Sequence, residues 1–169
     1  MKDDLELFRS VFIENLKKFK DESIIKILCG VRRCGKSTIL STYKKELLSM
    51  GINPRNVIER LYSSMEFDES YDASQMNADL LAAIENADKS QKVYLLLDEV
   101  QEVENWEKCV NSLFENRNVD IYVTGSNSKL LSSEISTFLT GRFVLIPVYT
   151  LSFLEFMEFK KTYFPESAE

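Results

Sequence analysis

One eight-residue pattern limits the folds open to this chain of 169 residues. Residues 30–37 read GVRRCGKS, which fits GxxxxGK[ST] without a mismatch. They follow the apolar run 24–29, which predicts a short buried strand, and they lead into residues 36–50, where apolar side chains recur on one face of a predicted helix. A strand, a glycine-containing loop and a helix in this order are typical of a loop that wraps phosphate groups.

The residue types of this loop suit polyphosphate chemistry. Glycine lets the backbone turn tightly enough to aim several N–H groups at phosphate oxygens, and the helix adds its positive N-terminal end. Lys36 is expected to contact the β- and γ-phosphates, and Ser37 is expected to give a hydroxyl ligand to Mg²⁺. The residues predicted to contact the nucleotide are Gly30, Arg32, Arg33, Cys34, Gly35, Lys36, Ser37 and Thr38.

Simpler interpretations of this loop remain open. The loop is alternatively an ordinary glycine turn in which Lys36 is solvated. Arg32 and Arg33 face solvent, a partner or nucleic acid. Cys34 is either a thiol of lowered pKa near backbone N–H donors or a small side chain that the loop tolerates.

Strands and helices alternate along the rest of the chain. Strands are predicted at 57–62, 93–97, 119–124 and 143–149, and helices at 4–20, 76–87, 106–115, 128–139 and from Ser152, with a polar loop at 63–74. The spacing of Ser152 and Glu155 fits a capping box. The apolar runs alternate little between apolar and polar residues, which is typical of strands covered on both faces. The pattern predicts an α/β fold with a largely parallel sheet.

Two carboxylates come directly after the apolar run VYLLL. In a parallel sheet the strand ends meet at one edge, so Asp98 and Glu99 are expected beside the phosphate-binding loop. An aspartate there suits the Mg²⁺ shell, and a neighbouring glutamate suits the orientation and activation of an attacking water. The alternative for this pair is an exposed acidic turn or a helix cap.

Other polar residues follow the later strands. The segment Thr124-Gly125-Ser126-Asn127 ends the strand predicted at 119–124. Ser126 and Asn127 are candidates to hydrogen-bond the γ-phosphate or the attacking water, Ser126 being favoured; the alternative is a turn and helix cap. Arg142 precedes the last strand. It is a candidate to neutralise transition-state charge, in its own site or in that of a neighbouring subunit, and is alternatively a solvated or salt-bridged arginine.

Composition excludes several functional classes. The chain has no histidine, so histidine triads and histidine metal ligands are excluded. Its formal charge of −6 argues against a general electrostatic grip on nucleic acid, although a local basic patch stays open. Three cysteines without CxxC spacing indicate reduced thiols, and no apolar run is long enough to span a bilayer. We expect a cytoplasmic protein without membrane insertion.

The motifs together resemble the predicted AAA-superfamily ATPases of bacteria and archaea whose ATPase core precedes a C-terminal domain of unknown function. The matching segments are GVRRCGKST, YLLLDEVQEVENWEKCVNSLF, DIYVTGSNSKLLSSE, FLTGRFVLIPVYTLSF and LEFMEF. This resemblance implies a P-loop NTPase three-layer sandwich with a five-stranded sheet of order 5-1-4-3-2. It implies ATP binding with Mg²⁺ and hydrolysis. It assigns Asp98 to metal binding, Glu99 to catalysis and Ser126 or Asn127 to sensing of the γ-phosphate. It makes Arg142 the candidate arginine finger, the residue that neutralises charge in the transition state.

The expected organisation is a helical segment at 1–22 packed on an ATPase core at 23–163, with a tail at 164–169 that is either an end or a truncation point. The first functional hypothesis is a Mg²⁺-dependent ATPase that drives a conformational change in an attached domain, a partner or a homo-oligomer. The second is a nucleotide-binding switch with negligible hydrolysis on its own. A third hypothesis, a small-molecule phosphotransferase, is disfavoured by Asp98 and Glu99.

Overall fold

The computed structural model describes residues 9–67, 70–126, 139 and 141–163. Its strands are β1 (Ile25–Gly30), β2 (Val57–Leu61), β3 (Val93–Asp98), β4 (Val119–Ser126) and β5 (Phe143–Pro147). Its α-helices are α1 (Ser10–Lys18), α2 (Lys36–Ser49), α3 (Ala73–Glu85), α4 (Trp106–Asn116) and α5 (Phe153–Tyr163). The helix predicted at 128–139 falls almost entirely outside the described residues.

The five strands form one parallel sheet of order β2-β3-β4-β1-β5. This is the predicted order 5-1-4-3-2 counted from the opposite edge, so the expected α/β fold is confirmed. Strand β1 pairs with the central strand β4 on one side and with the edge strand β5 on the other. Its register sets Gly30 opposite Ser126, which aligns the loop after β1 with the end of β4.

The sheet is covered on both faces, which makes three layers. Helices α3 and α4 share one buried cluster with residues such as Ile27, Leu95 and Val123. Helices α1 and α2 share the other cluster with alternate strand residues, among them Leu28 and Leu96. Every residue of β1 and β3 is buried, and apart from Lys26 and Asp98 both faces of these strands carry mainly apolar side chains. This explains why the strand sequences lack alternation.

Local capping residues set the helix boundaries. The predicted capping box at α5 is present, because Ser152 N donates to Glu155 Oε2 at 2.6 Å and Glu155 N donates to Ser152 Oγ at 3.3 Å. Helix α3 begins three residues earlier than predicted. Asp72 caps its first turn while Gln75 Oε1 accepts a hydrogen bond from Asp72 N, so the end of the expected 63–74 loop is helical.

Helix α1 packs the segment before β1 onto the sheet. It buries Ile13 and Leu16 in the cluster around α2.

Within the described ranges, none of the helices combines the length and the apolar character that a membrane crossing requires.

Candidate functional site

The loop between β1 and α2 has a backbone that its glycines make feasible. Gly35 has φ +97°, in the left-handed region that side chains avoid, and α2 begins at the next residue. A Cβ at Gly30 would lie 2.2 Å from the carbonyl oxygen of Val148, just after β5. The two glycines therefore serve different purposes, one permitting the turn and the other permitting close packing of the loop base on the sheet.

Lys36 is buried at the first position of α2. Its Nζ donates to the carbonyl oxygens of Gly30 at 3.2 Å and Val31 at 3.1 Å, and lies 3.7 Å from Glu99 Oε1. Only 2% of the side chain is exposed. The ammonium is thus held at the mouth of the loop, next to one of the two carboxylates predicted to share the site.

Asp98 ends β3 at the same edge of the sheet and is almost fully buried. Burial is the main cause that raises the pKa of its carboxyl group, while hydrogen bonds from Ser37 and Thr124 act in the opposite direction. The hydroxyl of Thr124 donates to Asp98 Oδ1. The structure therefore joins the predicted metal ligands Ser37 and Asp98 through a direct side-chain contact.

This pair fits Mg²⁺ by its donor chemistry. A hydroxyl and a carboxylate are the hard oxygen ligands that Mg²⁺ takes, and the ion normally completes its shell with waters and phosphate oxygens. Ser37 is exposed while Asp98 is buried, so the pair combines an accessible hydroxyl group with a carboxylate held inside the protein.

Glu99 follows Asp98 in a left-handed conformation, with φ +54°. Its backbone N–H donates to Thr124 Oγ1 at 3.0 Å. Its carboxylate is held on both sides, by Lys36 at Oε1 and by Gln101 Nε2 at 2.5 Å from Oε2. The side chain that sequence predicted as the catalytic glutamate is therefore at the phosphate-binding loop, but its oxygens are engaged.

A cavity of about 310 Å³ adjoins the loop on the side of α5. Its lining includes the loop residues Arg33, Cys34 and Gly35 together with Thr38 of α2. The remaining lining residues are Arg9, Thr150, Leu151 and Phe159. This volume lies at the lower end of those found for small-molecule sites, and the walls combine apolar and cationic groups.

Arg9 connects distant parts of this cavity. Its guanidinium donates to the carbonyl oxygen of Cys34 at 3.0 Å and to that of Tyr149 at 3.1 Å. The side chain is buried, and its bond to Cys34 is fully shielded from water while its bond to Tyr149 is partly shielded. The N-terminal segment therefore fixes the loop directly.

The other predicted loop residues differ in their exposure. Arg32 and Arg33 are exposed, and Arg33 lines the cavity with its backbone at φ +64°. The side chain of Cys34 is buried and belongs to the core cluster around α2, as the simpler interpretation of that residue expected. Any contact from Cys34 to phosphate would therefore come from its backbone.

Ser126 lies where the sequence predicted, at the carboxyl end of β4 opposite Gly30. It is partly exposed there and lies two residues after Thr124 on the same strand. The alternative sensor, Asn127, lies outside the described residues.

Arg142 does not join this group. It precedes β5 at the opposite end of the sheet, where its carbonyl oxygen accepts from Ile25 N at 2.7 Å. Its guanidinium donates to Asn111 Oδ1 at 2.6 Å and pairs with Glu115 Oε1 at 2.5 Å, both on α4. The structure does not bring Arg142 to the loop of its own chain, because the start of β5 and the loop are separated by the length of β1. A role toward a neighbouring subunit stays a prediction.

Sequence reasoning assigned no specific role to three residues of the site: Arg9, Gln101 and Thr124. Gln101 and Thr124 lie within two residues of predicted site residues, so proximity to Glu99 and Ser126 was an available signal. Arg9 carries no comparable signal, because its contacts with Cys34 and Tyr149 are 25 and 140 residues distant along the chain.

Comparison with known proteins agrees with this geometry. A family model described as AAA domain matches residues 22–157. An uncharacterized protein of Haemophilus influenzae is 41% identical over 152 residues, which are 90% of this chain and 38% of that protein. The chain thus spans under two fifths of the length of that relative.

Solved structures share the fold at low sequence identity. A DNA polymerase III gamma subunit-related protein from Thermotoga maritima superposes with a TM-score of 0.63 at 12% identity, over 89% of this chain and 49% of the other. AMPPCP-bound DnaA from Aquifex aeolicus superposes with a TM-score of 0.52 at 16% identity, over 96% and 53%. By its loop, its sheet order and its match to the family model, this chain belongs to the AAA superfamily of P-loop ATPases.

Proposed function

We propose that this chain binds ATP together with Mg²⁺ and hydrolyses it, and that the cycle drives a conformational change in an attached region or a partner. The observation that carries this proposal is the meeting of Lys36, Ser37, Asp98, Glu99 and Ser126 at one edge of the sheet. Each of these residues has the chemistry that its part of the reaction needs, and they come from the start of helix α2 and from the ends of the two strands β3 and β4.

The phosphate groups would replace the present partners of Lys36. Two backbone carbonyls and Glu99 surround its ammonium. Phosphate oxygens are stronger partners than the neutral carbonyls because they are anionic and accept charge-assisted hydrogen bonds. The N-terminal end of α2 adds a favourable field for the same oxygens. Binding and release of Glu99 from Lys36 are therefore linked events in this proposal.

Ser37 and Asp98 would hold the metal, which when bound supplies positive charge to the phosphate oxygens. Glu99 would orient a water and accept its proton once its Oε1 is free of Lys36. Ser126 would donate its hydroxyl to the terminal phosphate or that water. This division places the base and the metal ligand on adjacent residues of one strand end, so their relative position is set by the backbone.

The cavity beside the loop is the proposed place for the base and sugar of the nucleotide. Thr38 lines the cavity and also lies in the first turn of α2, directly after Ser37. The cavity is therefore continuous with the phosphate-binding surface. Leu151 and Phe159 give it apolar contact area, while Arg9 and Arg33 give it positive charge. The AMPPCP-bound DnaA structure supports nucleotide binding by this fold.

A second function, a nucleotide switch with negligible hydrolysis alone, is favoured by one observation. Both carboxylate oxygens of Glu99 are engaged, by Lys36 and Gln101, so the proposed base is not ready to accept a proton in this state. In that case a partner or a second copy would complete the site. Arg142 would have to leave Asn111 and Glu115 to serve such a copy.

Phosphate release and nucleotide binding by the purified chain test the two functions. Mg²⁺-dependent binding with steady phosphate release supports the ATPase, and binding without release at any protein concentration supports the switch. Phosphate appearing on an added acceptor instead of in solution would favour the phosphotransferase. Absence of nucleotide binding at millimolar MgATP would contradict all three.

A further inference from the structure

The hydroxyl of Thr124 links the two carboxylate residues of the site. Its Oγ1 accepts the backbone N–H of Glu99 at 3.0 Å and donates its proton to Asp98 Oδ1. Thr124 lies on β4, on the strand beside β3, and is completely buried. One hydroxyl group thus holds a side chain and a backbone group of two consecutive residues.

The chemistry of the threonine hydroxyl makes this arrangement directional. A hydroxyl has one proton to donate, and that proton goes to a carboxylate oxygen, while a lone pair receives the Glu99 N–H. A β-branched side chain in a strand has few χ1 rotamers, so the hydroxyl is held by the backbone of β4 with little freedom. The oxygen of Asp98 that it contacts is restrained in the same way.

The backbone of Glu99 has an unfavourable conformation that this hydrogen bond stabilises. It has φ +54°, a conformation that L-residues with side chains rarely adopt, at the point where the chain leaves β3. The bond from its N–H to Thr124 holds the peptide group between Asp98 and Glu99 in that orientation. The direction in which the Glu99 side chain leaves the backbone depends on this peptide group.

We propose that Thr124 is the positioning residue for both Asp98 and Glu99, orienting the metal-holding carboxylate and the water-activating carboxylate with one hydroxyl. The inference rests on the proposed function and deepens it. Thr124 also lies two residues before Ser126 on β4. A shift of the β4 end on contact with the terminal phosphate would therefore reach both carboxylates through a single side chain.

The test compares Thr124→Val, which keeps the branched shape and removes the hydroxyl, with Thr124→Ser, which keeps the hydroxyl. Val123→Ala is the matched control, because Val123 is the preceding buried residue of β4 and has no polar contact to either carboxylate. Binding of a fluorescent ATP analogue is measured with Mg²⁺ and with EDTA, alongside thermal unfolding and single-turnover hydrolysis.

Thr124→Val should bind the analogue in EDTA within about twofold of wild type, because the loop and Lys36 are unchanged. Its gain in affinity on adding Mg²⁺ should fall about 10-fold or more, and its turnover about 10- to 100-fold, as expected for lost hydrogen bonds to charged groups. Thr124→Ser should restore both quantities. Val123→Ala should lose thermal stability while keeping the Mg²⁺ gain.

Three outcomes would overturn the proposal. Thr124→Val could keep the full Mg²⁺ gain, Thr124→Ser could be as impaired as Thr124→Val, or Val123→Ala could lose the Mg²⁺ gain in proportion to its stability. Failure of the proposed function has a different signature, because the wild-type chain itself would then show no Mg²⁺-dependent binding, and both proposals would be withdrawn.

Discussion

Lys36 and Glu99 form an ion pair across the mouth of the phosphate-binding loop, with 3.7 Å between Nζ and Oε1. The ammonium of Lys36 is simultaneously bonded to two carbonyl oxygens of the loop. The lysine proposed to bind phosphate and the glutamate proposed as the base therefore contact each other directly. In the proposed function nucleotide binding would separate the two groups, so mutation of either residue tests that function.

Replacing Lys36 with alanine should weaken nucleotide binding on the order of 10- to 100-fold, because a charge-assisted contact to phosphate is lost. Titration with a fluorescent ATP analogue measures this. Lys44→Ala is the control, since Lys44 lies two turns further along α2 in a surface pair with Glu59 at 2.7 Å. Equal affinities of the Lys36→Ala and wild-type proteins would contradict the loop assignment.

Replacing Glu99 with glutamine should reduce turnover about 100- to 10,000-fold, the usual contribution of a general base. The same variant should bind nucleotide at least as tightly as wild type, because Lys36 no longer gives up an ionic partner. Both quantities come from one phosphate-release and binding series. The exposed Glu104→Gln is the control, and undiminished turnover by Glu99→Gln would remove that residue from the role.

A Cβ at Gly30 should destabilise the fold by about 1–3 kcal/mol, because it would meet the Val148 carbonyl oxygen at 2.2 Å and the backbone must shift. Denaturant unfolding of Gly30→Ala measures the loss. Gly51→Ala separates the effect of steric contact from the effect of backbone strain. A Cβ at Gly51 would have no described atom within 4 Å, but the residue has φ +85°, which strains any side-chain-bearing residue. That variant should lose about 1 kcal/mol and keep its nucleotide affinity. A milder effect at Gly30 than at Gly51 would contradict the close packing.

Asp98 should make stability depend on pH. Burial raises the pKa of its carboxyl group in the fold above the ordinary 3.8, so the folded state binds the proton more tightly than the unfolded chain. The free energy of unfolding should therefore fall as pH rises from 3.8 to the folded pKa. Asp98→Asn should lack this fall and should exceed wild type in stability at neutral pH, while losing the Mg²⁺ response.

Urea unfolding of both proteins between pH 3 and pH 8 measures the difference. A gap that grows as pH rises supports the sign of the shift. A gap that is constant, or that grows as pH falls, would mean that Asp98 is not protonated more readily in the fold than outside it.

The three thiols should be inert in the folded protein. Cys29, Cys34 and Cys109 are buried, and burial raises the pKa of Cys109 to about 12. An aromatic disulfide reagent at pH 8 should find no fast-reacting thiol until the protein is unfolded, when three react. If one thiol per native molecule reacts quickly with the reagent, and this reaction is lost in Cys34→Ser, the result would instead support a reactive thiol in the loop.

The loop, the alternation of strands and helices, and the two carboxylates at the end of β3 were all predictable from the sequence. Each depends on local spacing: GxxxxGK[ST] between an apolar run and a helical repeat, and Asp98 and Glu99 at the end of such a run. The strand order followed from the resemblance to a known family. Local patterns carry this information because turn chemistry and periodic burial act over a few residues.

Only the tertiary structure decided which side chains contact those motifs. Thr124 reaches Asp98 because β3 and β4 pair in one register, and Arg9 reaches Cys34 because α1 packs beside the loop. Arg142, which resembled a site residue along the chain, lies at the other end of the sheet. Register and helix docking are set by the packing of whole faces, so no short segment of sequence specifies them.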